Sequence, residues 1–93
     1  MITRNISAAS ILKALLASPD LISKKIDSDS AGRKHYQATL QTGRTVATYV
    51  LCRELRSFTV LIEVSSADAC ELEHVDAMTG VRALAFAAEE LSL

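Results

Sequence analysis

With 93 residues and a formal net charge of −1 at pH 7, the chain holds enough sequence for one domain and has no overall bias toward polyanions or anionic surfaces. Hydrophobic residues make up 49%, enough for a core, yet no run approaches the about 20 apolar residues of a membrane-spanning helix. Cys52 and Cys70 are too few for a disulfide framework, and MITRNISAAS lacks the apolar stretch of a secretory signal, so a cytoplasmic protein of one domain, residues 1–93, away from membranes is expected.

Residues 6–17, ISAASILKALLA, place Ala8, Ile11, Leu12, Leu15 and Leu16 on one helical stripe. Ser7 suits the N-cap, Ile6 and Ile11 hold the positions of a hydrophobic staple, and Pro19 disfavours helix at Ser18. The segment LISKKI fits a short helical turn or a strand that pairs with Arg33–Gln41 through the turn residues 28–32, and the strand is preferred.

Residues 33–66 carry three runs of strand character separated by short turn signals, an antiparallel meander. Tyr36, Ala38 and Leu40 alternate with His35, Gln37, Thr39 and Gln41, and Phe58, Val60, Ile62 and Val64 alternate with Thr59, Leu61, Glu63 and Ser65. The middle run, 45–52, is apolar on both sides, so the turns must set its register. A three-residue loop Gln41-Thr42-Gly43 spares β-branched Thr42 a positive φ, which a Thr-Gly turn would impose. It groups Val46, Val50 and Cys52 with Tyr36, Leu40, Phe58 and Ile62. His35, Gln37, Thr39, Tyr49, Leu51, Thr59, Leu61 and Glu63 then form a half-polar face toward solvent or a partner.

After the meander, Ser65 and Asp68 fit a capping box, and Ala69, Leu72, Val75 and Met78 recur every three residues, which predicts helix. One straight helix from Ala67 to Leu91 would run about 37 Å, longer than the about 32 Å diameter of a globule whose radius of gyration is about 12 Å. The helix is therefore expected to break near Thr79-Gly80 or to project. VRALAFAA is apolar nearly all round, so a homodimer through Val81, Leu84, Phe86 and Leu91 is expected, made without Cys52 or Cys70. The fold class is α+β: a three- to four-stranded antiparallel meander between an N-terminal helix and one or two C-terminal helices. Leu12, Leu15, Tyr36, Leu40, Val50, Phe58, Val60, Ile62, Leu72, Leu84 and Phe86 are its expected core.

Charge is uneven along the chain. Residues 24–56 hold Lys24, Lys25, Arg33, Lys34, Arg44, Arg53 and Arg56 against Asp27, Asp29 and Glu54, whereas residues 57–93 hold Arg82 against seven acids. In a meander, Arg33 and Lys34 share one sheet end with Arg53 and Arg56, with His35 close by. Those four cations are the expected partner-binding rim, suited to phosphates or an acidic protein surface.

Helix, three strands, helix is also the element order of double-stranded-RNA-binding domains, which grip phosphates with basic residues at the start of the second helix. The corresponding place here, SADACELEHVDA, is acidic, and order alone does not fix function. Cys70-x-x-x-His74, with Cys52 and His35, is a weak zinc pattern without a CxxC or HxxxH pair, so no metal site is assigned. A Gly-rich phosphate loop, a GxSxG elbow and HExxH are all absent, so no catalytic residue, enzyme activity or cofactor is expected. The expectation is a small non-enzymatic interaction protein with a protein partner: an adaptor, subunit or inhibitor of the kind phages and mobile elements encode. The alternative is a nucleic-acid-binding regulator that uses the basic rim.

Overall fold

The computed structural model describes residues 7–65 and 72–91, and of residues 72–75 the backbone alone. Helix α1 (Ala8–Leu16) starts where the sequence places its cap: the Ser7 backbone is extended and its Oγ accepts the Ser10 N–H at 3.1 Å. Ile11, Leu12 and Leu15 are buried on one stripe. The helix stops two residues short of the Ser18-Pro19 dipeptide. Ile6, the outer residue of the expected staple, lies outside the described residues.

Five strands follow: β1 (Leu21–Ser28), β2 (Lys34–Thr42), β3 (Thr45–Cys52), β4 (Ser57–Ser65) and β5 (Leu72–Thr79), and then helix α2 (Gly80–Glu90). They form one antiparallel sheet in the order β1-β2-β3-β4-β5. The segment from Leu21 is thus the strand the sequence favours. It pairs with β2 from Leu21↔Leu40 to Ser28↔Lys34, with a register shift between Leu21 and Ser23.

Two expectations are corrected. First, β2 and β3 are joined by the two-residue loop Gly43-Arg44, because Thr42 stays in β2 and pairs with Thr45. Gly43 takes the first loop position at φ 61, so no β-branched residue adopts a positive φ. The shorter loop reverses β3: Ala47, Tyr49 and Leu51 align with Leu40, Ala38 and Tyr36 on one side and with Ile62, Val60 and Phe58 on the other. Tyr49 and Leu51 are therefore core residues, while Val46 and Val50 are half-buried on the opposite face.

Second, the segment Leu72–Thr79 is a strand. Its backbone pairs with β4 from Ser65↔Leu72 to Thr59↔Thr79, and a register shift between Ile62 and Glu63 leaves Val75 without an opposite residue. Asp68, the acidic member of the expected capping box, lies outside the described residues, and Ser65 ends β4. The break expected at Thr79-Gly80 is the junction of strand and helix, where Gly80 turns the chain at φ 65.

Both helices lie on one face of the sheet. α1 packs on β1, β2 and α2, and α2 packs on β4 and β5. Between helices and sheet, Ile11, Leu12 and Leu15 meet Ala38, Leu40, Tyr49, Leu51, Phe58, Val60, Ile62, Met78, Ala83 and Ala87. Tyr49 and Phe58 contribute a tilted ring pair with centroids 6.2 Å apart. Tyr36, Leu84 and Phe86 of the expected core are partly buried against this cluster, and the Leu72 side chain lies outside the described ones. Burying a side chain such as Phe58 or Ile62 stabilises by about 1.5–3 kcal/mol over exposure.

The result is a two-layer slab of 43 × 41 × 22 Å. Its radius of gyration, 13.9 Å, exceeds the about 12 Å of a rounder domain because the second sheet face has no described element on it.

Candidate functional site

The uncovered face is built by alternation. His35, Gln37 and Thr39 of β2 lie beside Val46, Thr48, Val50 and Cys52 of β3, and these beside Ser57, Thr59, Leu61 and Glu63 of β4. Ser23, Lys25 and Asp27 of β1 extend the surface on one side, and Ala77 of β5 on the other. Its centre is a mixed field in which Val50 and Leu61 sit among threonines, with the Thr39 and Thr48 hydroxyls 3.4 Å apart. Val50, Leu61 and these threonines are half-buried, and among the described residues no helix packs over them. β-Branched and hydroxyl-bearing residues suit a flat surface that has to be stable in water and able to dry against a partner.

At one end of this face lies the rim. The pairs His35↔Cys52 and Cys52↔Ser57 put the β1–β2 turn and the β3–β4 turn at the same sheet end, as the meander argument requires. The four cations share that end, but they do not converge. Asp29 holds the first turn together: its Oδ1 accepts the N–H groups of Ala31 and Arg33 at 2.9 and 3.0 Å, and its Oδ2 accepts Arg33 Nε at 2.9 Å and lies 3.0 Å from His35 Nε2. The His35 contact is the main reason that the Asp29 carboxyl sits well below the usual carboxylate range, with the Arg33 and Ala31 donors adding to it and desolvation opposing. Arg33 is thus committed to an ion pair within the chain.

Arg53 turns the other way. Its guanidinium carbon lies 5.7 Å from the centroid of Tyr36, on the helix side of the sheet. Lys34 is exposed beside Ser28. Arg56 closes the β3–β4 turn with its N–H on the Arg53 carbonyl at 3.1 Å and holds φ 50, a left-handed conformation that is uncommon outside glycine. Among the described residues, Lys34, Arg53 and Arg56 make no ion pair, while Lys25 and Asp27 pair at 3.4 Å on the neighbouring edge.

The C-terminal residues also fall in different places. Leu84, Phe86 and Leu91 pack partly buried against the core of their own chain, and Val81 is 82% exposed. α2 is 11 residues long, so the length argument for a projecting helix end does not apply to it. Between the end of α2 and the sheet lies a cleft of about 340 Å³, floored by Leu40, Ala47, Tyr49 and Ile62, with Asp20 and Glu90 among its polar lining. Burial, with the Glu90 charge adding to it, pushes the Tyr49 hydroxyl up to about 12.

Cys52 is fully buried, as a small hydrophobe would be, with its Sγ 3.6 Å from Glu54 Oε2. Cys70 and the His74 side chain lie outside the described residues, and among those described no three His, Cys, Asp or Glu side chains gather as a metal site. No helix among the described residues is long and apolar enough to cross a membrane. Sequence reasoning missed Val46 and Val50 as members of the open face and Asp29 as the anchor of Arg33 and His35. The second had a signal: SDSAGR is turn chemistry, with an Asp positioned to bond backbone N–H groups just after it. No family model, curated protein or solved structure matches the chain.

Proposed function

We propose that the protein is a non-enzymatic binding module, an adaptor, subunit or inhibitor, that docks a protein partner on the uncovered sheet face. One observation carries this reading: a five-stranded sheet keeps both helices on one side and presents on the other a field of Val46, Val50, Leu61 and threonines. An open face of an antiparallel sheet that serves only solvent reads as polar throughout. Here apolar side chains are interleaved with hydroxyls, a composition that suits an interface core with a polar surround. Lys34 and Arg56 at the rim add charges that favour an acidic partner surface and raise the rate of encounter.

A photo-crosslinking residue at Val50 or Leu61, set against one at exposed Lys13 on α1, tests the reading in a native lysate. A discrete adduct from the sheet positions alone, lost on Leu61→Lys with the melting temperature retained, is the expected result. Equal adducts from Lys13 would overturn it. Binding to mixed RNA and DNA that falls steeply between two salt concentrations would favour a nucleic-acid regulator instead.

A further inference from the structure

The open face leaves one part of the surface unexplained: the outer edge of β1. Every side chain from Ile22 to Ser28 is exposed, with Ile22 at 57% and Ile26 at 62%. Beside Ile26 lies a groove of about 390 Å³ between α1 and the edge strand, lined by Leu12, Leu16, Ile26 and Tyr36 together with Lys24 and Gln37, and Leu16 is itself 44% exposed. An edge strand with unpaired backbone groups and apolar side chains beside it is a template for another strand.

The hydrogen-bond phase of β1 is fixed by its turn. The Asp29 N–H donates to the Arg33 carbonyl at 3.0 Å, so by the alternation of antiparallel pairs Asp27 and Lys25 also direct their N–H and C=O groups to β2. Lys24, Ile26 and Ser28 then direct theirs outward. Sequence decides which partner strand these groups can accept. A two-fold axis at Lys24 or at Lys25 would set that lysine opposite its own copy, and an axis at Asp27 would set aspartate opposite aspartate. An axis through Ile26 sets Ile26 opposite its own copy, each Lys25 opposite an Asp27, and each Lys24 opposite a Ser28.

We propose that two copies of the chain pair antiparallel through β1 about an axis at Ile26, forming one continuous ten-stranded sheet. In this register the outward N–H and C=O groups of Lys24, Ile26 and Ser28 meet those of the second copy as hydrogen-bonded pairs. On the helix side the two Ile26 side chains meet between the grooves and cover Leu16. On the open side Lys25 and Asp27, already 3.4 Å apart within one chain, become a four-membered array of alternating charge. Lysines commonly protect an edge from other strands. Here Lys24, Lys25 and Asp27 disfavour the neighbouring registers and leave the neutral one at Ile26, which makes the contact self-complementary and closed. The helices of both copies stay on one side, so the open faces join into one surface.

Sedimentation equilibrium of the full chain from low micromolar to near millimolar concentration reads the assembly. The expected result is a monomer–dimer equilibrium. Ile26→Pro removes an N–H that β2 does not use and that an edge strand can spare; it should leave the melting temperature near wild type and abolish the dimer. Asp27→Lys should weaken the dimer, and the swap Lys25→Glu with Asp27→Lys should restore it, an arm that holds even where the proline variant fails to fold. A wild type that stays monomeric, species larger than a dimer, or a swap that fails to restore pairing would overturn the proposal. So would loss of the dimer on Val81→Glu with Ile26→Pro still dimeric, which would assign the contact to α2.

Discussion

The two faces of the sheet come from the same strands, residue by residue in alternation, yet they do different work. On the covered face Val60 is fully buried and Phe58 is 2% exposed, while their immediate neighbours Thr59 and Leu61 are half-buried on the open one. Burial by a second layer turns a strand position into stability, because the side chain leaves water and gains dispersion contacts on every side. Among the described residues the open positions have no second layer over them, so they can change chemistry at little cost to the fold. Stability and recognition are thereby separated by a shift of one residue.

The largest effect should come from Phe58→Ala, which leaves a cavity against Tyr49 and should cost about 3–5 kcal/mol in urea unfolding, with Ile62→Ala at about 2–5 kcal/mol. A loss below about 1 kcal/mol at Phe58 would break the comparison outright, since that is the scale of an uncovered site. Tyr49 sharpens it through pH. The unfolded chain ionises this phenol near the ordinary 10.0, while the folded chain resists to about 12, so the contribution of this group is complete below pH 10 and is lost from there to about 12. That alkaline loss is on the order of 2 kcal/mol for this shift, and Tyr49→Phe should flatten it.

On the open face, Val50→Thr and Leu61→Thr should each change unfolding free energy by under about 1 kcal/mol while weakening partner binding. The most local effect belongs to Asp29. Its carboxyl is held below the ordinary 3.8, so its contribution is present above that value and disappears as pH falls through the folded value. Asp29→Asn should lower stability at neutral pH and flatten that part of the acid limb, so that variant and wild type converge as pH falls.

Much of this architecture is legible in the sequence where one local signal acts alone. Ser7 and Pro19 bound α1, the clean alternation of residues 34–42 and 57–65 gives β2 and β4, and the turn residues 28–32 support β1. The misreadings arise where two signals compete. In β3 both sides are apolar, so periodicity is silent and a difference of one loop residue at Gly43-Arg44 decides the face. In β5 the bulge at Val75 interrupts the period of two, and Leu72, Val75 and Met78 fall at a spacing of three that mimics a helix. Of the site, the shared end of the two basic turns was legible. The diversion of Arg33 to Asp29 and of Arg53 to Tyr36 was not, because side-chain partners across a turn follow from geometry rather than order.

Because every strand pairs with its neighbour in the chain, the sheet can assemble by zipping successive hairpins, each begun by a short loop closure of about 10–100 ns. These closures leave the helices to pack on the sheet and on each other, and the contact of α1 with α2 brings the two ends of the described chain together. Pairing between chain neighbours keeps the closing loops short, which favours faster folding than a sheet with crossovers would allow. It also assigns the late step: Leu15 and Ala83, buried where the helices close over the finished sheet, should show low φ-values and act chiefly on the unfolding rate.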